Sequence, residues 1–135
     1  MQHDEFIGQV QHRARLSSRG DAEVATRATL ETLAERLADN EPINAASQLP
    51  RGIADYMQHI DAGMGERFSL DEFFQRVSVR EGVELPQAVF HARAVIEVLQ
   101  EAVSQGEIND IRAQLPEEFN PLFEAGSQGT MRVNA

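Results

Sequence analysis

The sequence has no cysteine and no tryptophan, and aromatic residues make up only 6% of its 135 residues. Without cysteine there can be no disulfide, thiolate metal site or cysteine nucleophile, which fits a reducing compartment. The few aromatic residues have no basic residues interleaved with them, so no stacking surface for nucleic acid is predicted. No apolar run approaches the ~18 residues that span a bilayer, and the first residues lack the features of a signal peptide. We therefore expect a bacterial cytoplasmic protein that does not contact a membrane.

Basic residues are also scarce, with 12 Lys and Arg against 22 Asp and Glu, which gives a net charge of −10. Nucleic-acid binding draws much of its affinity from cationic side chains that neutralise phosphates. An anionic surface opposes that binding and opposes adsorption to anionic membranes. The charge is typical of a protein kept soluble by repulsion, and a basic partner is the alternative interpretation.

An internal repeat is visible when the chain is shifted by 66 residues, which places residues 21–57 on residues 87–123. Ten of these 37 positions are identical, including Gln-Leu-Pro at 48–50 and 114–116. Upstream the shift becomes 67, and Asp-Glu-Phe at 4–6 meets the same triplet at 71–73. The chain is therefore predicted to be a tandem duplication.

Each copy has the pattern of three to four helices. Before the first helix of the second copy, Ser69 and Glu72 form a capping box, and Phe68 and Phe73 form a hydrophobic staple. A long second helix is predicted at about 21–39 and 87–105. Its apolar positions are Leu30, Leu33, Ala34 and Leu37 in the first copy, and Val95, Ile96, Val98, Leu99, Ala102 and Val103 in the second. The wider spread in the second copy predicts that its long helix is the more buried one.

The ends of these helices are also marked in the sequence. Asn40 and Gly106 follow the two long helices, and both residue types favour a left-handed cap. A short third helix is expected near 42–48 and 108–114. The Leu-Pro step then ends it and starts a fourth helix. No segment has the sustained period-2 alternation of a strand.

These features predict an all-α fold, a compact helical bundle built from two tandem copies with approximate internal two-fold symmetry. We expect copy one at about 4–60 and copy two at about 68–125. The linker at 61–67 is too short to separate independent domains, so a single domain is expected at 1–126. Residues 127–135, rich in small and polar residues, are expected to form a flexible tail.

A resemblance to a known family rests on several short segments. They are Arg27-Ala28-Thr29-Leu30 with Leu33 and Leu37, Gln48-Leu49-Pro50, Arg67-Phe68-Ser69-Leu70-Asp71-Glu72-Phe73, Ala92-Arg93-Ala94-Val95 and Arg112-Ala113-Gln114-Leu115-Pro116. Over about residues 4–123 the chain resembles the bacterial family called domain of unknown function 2267. The resemblance implies an all-helical fold and an unassigned function, with no catalytic or ligand-binding residues to transfer.

Arg27 and Arg93 are the most prominent polar pair, because they occupy equivalent positions among apolar residues of the long helix. Glu31 and Glu97 follow four residues later, in the weaker orientation of an intrahelical ion pair. Our preferred interpretation is a structural salt bridge to the first helix. The candidate partners are Asp4 or Glu5 and Asp71 or Glu72. The alternative is a pair of related anion-binding sites, since guanidinium is the usual binder of carboxylate and phosphate.

Other polar residues favour structural roles. Gln48 and Gln114 precede Leu-Pro in both copies and are interpreted as satisfying helix-end backbone groups. His91 stands where the first copy has Ala25, and a packed or solvated side chain is favoured over a ligand. The histidines lack metal-ligand spacing, and no serine lies in a nucleophile motif. The sequence therefore predicts no catalytic residue, no metal and no cofactor.

Two classes of function remain open. The first is a non-enzymatic interaction module that binds a protein partner or a second copy of itself, but not nucleic acid or a membrane. The second is a small-ligand or anion binder, or an enzyme, that uses a groove between the two copies. The absence of an acid, base and nucleophile set in the sequence favours the first class.

Overall fold

The computed structural model of the protein describes residues 1–124, and the regular structure among them is helical apart from one isolated bridge between Ala38 and Met64. The helices are α1 (His3–Arg13), α2 (Arg19–Arg36), α3 (Glu41–Ala46), α4 (Arg51–Ala54), α5 (Leu70–Glu81), α6 (Leu85–Ala102), α7 (Gln105–Ala113) and α8 (Asn120–Glu124). Two 3₁₀ turns lie at Asp55–Gln58 and Glu117–Phe119. The predicted all-helical class is confirmed. The expected flexible tail at 127–135 lies outside the described residues.

The core is formed where α1, α2, α5 and α6 pack against one another. One cluster of buried apolar side chains includes residues from both predicted copies. Its largest members are Phe6, Ile7, Leu30, Leu33, Leu37, Ile53, Met57, Phe73, Ile96, Leu99, Ile108 and Phe119. The apolar stripes of the sequence therefore meet in a common interior. Among residues 1–124, no helix is long and apolar enough to cross a membrane.

The two long helices, α2 and α6, each have 18 residues and are both widely buried. The expectation that α6 would be clearly the more buried was wrong. In α2, Thr26, Thr29 and Thr32 are completely buried on faces where α6 uses apolar residues. The hydroxyls of Thr26 and Thr32 donate to the carbonyls of Ala22 and Ala28, each at 2.8 Å. A threonine that satisfies its hydroxyl in this way can pack as an apolar side chain, so α2 appears less apolar in sequence than it is in the fold.

Helix starts follow the capping chemistry of the sequence, whereas helix ends differ from the expected positions. The hydroxyl of Ser69 accepts from the amide of Glu72 at 3.1 Å, so the predicted cap of α5 is present. The left-handed caps expected at Asn40 and Gly106 are absent. Asn40 has φ −91°, and Gly106 lies inside α7 because Ser104 caps that helix. After α2 the chain becomes extended at Leu37, and after α6 at Val103.

The segment between α4 and α5 is fastened to the C-terminal end of α2. The amides of Gly63 and Gly65 donate to the carbonyls of Ala34 and Leu37, each at 3.0 Å, and the amide of Asp39 donates to the carbonyl of Gly63 at 2.8 Å. Gly63 has φ +82°, and a Cβ there would lie 2.6 Å from the Asp39 carbonyl oxygen. Glycine is therefore required at this close approach. The linker consequently runs against α2 and brings residues 59–66 beside α5.

Candidate functional site

Arg27 lies on the outer face of α2, with 65% of its side chain exposed. Its Nε donates to Glu31 Oε2 in the same helix at 3.0 Å, and this hydrogen bond is the main cause of a raised pKa for Arg27. Asp4, one of the acids considered as an inter-helix partner, pairs instead with Arg19 at 3.2 Å. Arg27 therefore lies in an exposed intrahelical pair, and an anion-binding role for it remains a prediction.

Arg93, the equivalent residue of α6, lies in a different environment. Only 4% of the residue is exposed. Burial lowers the pKa of Arg93, and the charge of Glu97 partly offsets that effect. The two arginines are thus equivalent in sequence but not in environment, so the structure does not bring them together as one site.

This difference predicts unequal effects of substitution. Arg93→Met is expected to destabilise the fold by about 1–3 kcal/mol, because it removes a charged group from polar contacts inside the protein. Arg27→Met is expected to leave the midpoint of unfolding unchanged, because exposed ion pairs contribute little. Urea unfolding at pH 7 measures both variants. Equal midpoints for the two variants would contradict the assignment of Arg93 as structural.

Two of the salt bridges between helices follow the internal repeat. Arg13 of α1 donates to Glu101 of α6 through both Nη atoms, each at 2.7 Å. Arg80 of α5 pairs with Glu35 of α2. Thus α1 is tied to α6 and α5 to α2, and the two ion pairs run in opposite directions between the predicted copies. Arg13 and Arg80 occupy equivalent positions under the 67-residue shift, so the repeat could have indicated from the sequence that they have equivalent roles.

Gln48 and Gln114 also make reciprocal contacts. Gln48 Oε1 accepts from the amide of Ser104 at 2.7 Å, and Gln114 Oε1 accepts from the amide of Ala38 at 2.7 Å. Each glutamine therefore satisfies a backbone group just beyond the long helix of the other half. These contacts have the structural role expected for the two glutamines, although they act between the halves rather than within each one.

Two buried carboxyl groups meet between α3 and α7. Glu41 and Glu107 are 8% and 7% exposed, and the Oε2 atom of each is buried without a hydrogen-bond partner within residues 1–124. A hydrogen bond between the two groups would require one of them to be protonated, because two carboxylates can only accept. Burial, the hydrogen bond and the charge of Glu107, and the charge of Asp110 together raise the pKa of Glu41 to about 8. A pKa of about 8 favours the protonated form of Glu41 at neutral pH.

A groove of about 490 Å³ lies between α5 and the 59–66 linker. At its base the carboxylate of Glu35, only 4% exposed, pairs with Arg76 at 3.2 Å and with Arg80. Arg76 also binds Glu66 and Glu72, at 2.7 and 2.6 Å, and lies 4.0 Å from the centre of the Phe68 ring. The hydrogen bond that Arg76 donates to Glu66 is the main cause of a raised pKa for Arg76. The base of the groove is therefore a rigid network of paired charges.

Glu35, His59 and Asp61 are the one group among residues 1–124 whose ligand atoms lie close enough together to hold a metal ion. Both ring nitrogens of His59 already have partners, since Nε2 lies 2.9 Å from the carbonyl of Glu31 and Nδ1 accepts from the amide of Asp61 at 3.3 Å. Glu35 is neutralised by two guanidinium groups, which would repel a cation. The donor set therefore does not fit a metal site.

His91 forms a buried pair with Glu81 beside a cavity of about 480 Å³ between the α1–α2 and α5–α6 loops. Its Nδ1 hydrogen-bonds Glu81 Oε2, and both side chains are nearly inaccessible. The nearby hydroxyl of Ser17 donates to Asp21, so it is not activated by the imidazole. The imidazole thus partners one oxygen of a buried carboxylate, which is a structural role, whereas Glu81 Oε1 is buried without a hydrogen-bond partner within residues 1–124.

The family model described as uncharacterized conserved protein (DUF2267) matches residues 3–122. The chain belongs to this family, so the resemblance inferred from its short motifs is confirmed. The description of the family assigns no activity. No curated protein matches the sequence.

Proposed function

We propose that this member of the DUF2267 family is a non-enzymatic interaction module that binds a protein partner through the groove between α5 and the 59–66 linker. The proposal rests on the surface of that groove and on the chemistry of its rim. It assigns partner binding to one face of this molecule.

The observation that carries the proposal is the exposure of large apolar side chains on the two segments that line the groove. Ile60, Val79 and Met64 are 94%, 82% and 72% exposed, the three highest values among the large apolar residues of the described chain. Val79 lines the groove, and Ile60 and Met64 belong to the linker that contributes Asp61 and Glu66 to its lining. Exposed large apolar residues on segments that line one groove favour an interaction surface there.

The charges of the groove favour a basic, amphipathic partner. Four acidic residues and two arginines line it, so its net charge is negative. Arg76 and Arg80 are engaged by Glu35, Glu66 and Glu72, and they have little capacity left for an anionic partner. A partner helix with apolar side chains on one face and arginine or lysine at its margin would cover the apolar rim and meet the acids.

We also infer that the domain arose by internal duplication and that residues 1–126 fold as one unit. The reciprocal pairs Arg13–Glu101 and Arg80–Glu35 support this inference, as do the reciprocal glutamine contacts. Each set follows the 66- or 67-residue shift of the sequence. A cytoplasmic location, the absence of nucleic-acid binding and the possibility of self-association remain part of the proposal.

The proposal predicts that Ile60→Ser with Val79→Ser abolishes partner capture without weakening the fold. Both side chains are exposed, so the double variant should keep the wild-type melting temperature. The sequence contains no lysine, so the α-amino group of the expressed chain can be biotinylated selectively. Immobilised protein is incubated with lysate of the source organism at low salt, with and without nuclease, and captured proteins are quantified by mass spectrometry.

The matched control is Ile43→Ser, which removes an apolar side chain that is 55% exposed and lies away from the groove. A protein captured by the wild type and by this control, but depleted at least tenfold with the double variant, supports the proposal. The purified candidate must then bind the wild type and the Ile43→Ser control more tightly than the double variant. Equal capture by all three proteins would refute it, and so would stoichiometric nucleic acid that is lost with nuclease.

A further inference from the structure

A second cleft lies where the C-terminal end of α2 meets the start of α5 and the segment that follows α7. Its volume is about 500 Å³. The lining residues are Arg36, Arg67, Phe68, Gln114, Pro116 and Glu118, with their neighbours in sequence. None of these residues lines the groove proposed for partner binding. The one contact with that groove is made by the ring of Phe68, which lies against Arg76. The cleft therefore needs a separate explanation.

Arg36 is the unusual residue of this cleft, because it is only 9% exposed yet has most of its hydrogen-bonding capacity unused. Its Nε donates to the carbonyl of Phe68 at 3.0 Å. Its guanidinium lies 5.3 Å from the centre of the Phe119 ring and 5.8 Å from that of Phe68. No residue within 1–124 accepts a hydrogen bond from its Nη atoms. Because Arg36 lines the cleft, its guanidinium offers unused planar donors at this site.

The electrostatic surroundings of Arg36 favour an anion. Burial and the neighbouring charge of Arg67 lower the pKa of Arg36, and the charge of Glu118 offsets only part of this effect. Arg67 is exposed and lies within the same cleft. Two cations thus face one acid at a site where one of the cations is largely removed from water. Such an arrangement costs free energy that a bound anion would recover.

The cleft already holds one carboxylate of the protein itself. Glu118 Oε1 accepts from the amide of Leu70, the first residue of α5, at 3.2 Å. The N-terminus of this 12-residue helix also favours negative charge. The two arginines and Glu118 together leave the cleft with an excess of positive charge. A monoanion would neutralise this excess, whereas a dianion or polyanion would add surplus negative charge beside Glu118. The balance of charges therefore favours a monoanion.

We propose that this cleft is a binding site for a carboxylate attached to an apolar group. The carboxylate would receive two hydrogen bonds from Arg36 Nη atoms in the bidentate geometry that guanidinium favours, with Arg67 contributing a second positive charge. The apolar group would lie against the exposed parts of Phe68, Leu115 and Pro116, which line the same cleft. The ligand class is thus an apolar monocarboxylate, either a free small molecule or the C-terminus of a polypeptide.

The site occurs on one side of the molecule only. At the position equivalent to Arg36, the second long helix has Ala102. The residues equivalent to Phe68 and Ser69 under the 67-residue shift are Met1 and Gln2. The predicted two-fold repeat therefore does not supply a second arginine cleft, and one ligand per chain is expected.

The experiment measures binding of sodium benzoate to the full chain by NMR titration at constant ionic strength. Benzamide is the neutral probe of the same shape, and inorganic phosphate is the dianionic probe. We expect benzoate to perturb resonances of the cleft saturably, with one site per chain, and benzamide and phosphate to bind at least tenfold more weakly. A tripeptide ending in phenylalanine, with either a free or an amidated C-terminus, distinguishes the two sources. Tighter binding of the free acid than of benzoate would indicate a polypeptide C-terminus, and the reverse order would indicate a small molecule.

Variants separate a ligand site from a structural arginine. Arg67→Gln removes an exposed cation and should weaken benzoate about fivefold with no change in melting temperature. Glu118→Gln keeps an acceptor for Leu70 but removes the competing charge, and should strengthen benzoate severalfold. Arg51→Gln, an exposed arginine outside the cleft, is the control. Equal affinity for benzoate and benzamide would overturn the proposal, as would tighter binding of phosphate or identical affinities of the Arg67 and Arg51 variants.

Discussion

Residues 1–65 expressed alone are expected to show no cooperative thermal transition. This fragment keeps α1 to α4 but loses α5 and α6, against which α1 and α2 bury their apolar faces. Phe6, Val10, Leu30 and Leu33, all fully buried in the chain, would lose much of their cover. A chain of about 65 residues buries too small a fraction of its surface to tolerate that loss.

Polar contacts across the two halves add to this effect. The fragment would retain Arg13 without Glu101, and the amide of Ala38 without Gln114. Circular dichroism at 222 nm against temperature is the measurement, with the full chain as the control. A sigmoidal transition with native helix content in the fragment would show that the two halves are independent domains.

Glu41→Gln is expected to stabilise the protein at alkaline pH and to have little effect in acid. In the wild type, the pKa of Glu41 is raised from 4.5 to about 8 by burial and by Glu107, so between these values the folded state binds more protons than the unfolded state. Stability therefore falls as pH rises through this window. A glutamine amide can donate to Glu107 at every pH and carries no charge. We expect a gain of at most about 5 kcal/mol at pH 9, the free-energy equivalent of a pKa raised from 4.5 to about 8.

Urea unfolding from pH 4 to pH 9 tests this expectation. The reciprocal variant Glu107→Gln should also flatten the pH dependence, because it removes the neighbouring charge that helps to raise the pKa of Glu41. Glu5→Gln, which removes an exposed acid, is the matched control and should retain the wild-type slope. A Glu41→Gln protein with the wild-type pH dependence would contradict the raised pKa of Glu41.

The features that could be predicted from the sequence are those set by local chemistry. The helical class follows from apolar spacing, and the start of α5 follows from the hydroxyl of Ser69. The ends of α2 and α6 could not be predicted in the same way. They are set by tertiary contacts, since Gln114 binds the backbone amide of Ala38 and the 59–66 linker binds the last carbonyls of α2.

Most features of the candidate sites could not be predicted from the sequence either, because they depend on tertiary packing. Glu41 and Glu107 were visible as identical residues of the repeat, but only the packing of α3 on α7 shows that their carboxyl groups meet. Arg27 and Arg93 stand out in the sequence because both copies have arginine at that position. The arginine of the cleft is instead Arg36, and the equivalent residue of the second copy is Ala102. A difference between the copies was the better signal there. The exposure of Ile60 and Val79 depends on the path of the linker, which local patterns do not determine.

The central claim is that the groove between α5 and the 59–66 linker is the surface that a partner covers. Amide hydrogen exchange of the protein, free and bound to its captured partner, tests it most directly. We expect the added protection on binding to be concentrated in residues 59–81, with little change in α3 and α7. Protection confined to α3 and α7, or to the loops around His91, with none in residues 59–81, would show that the partner covers another surface.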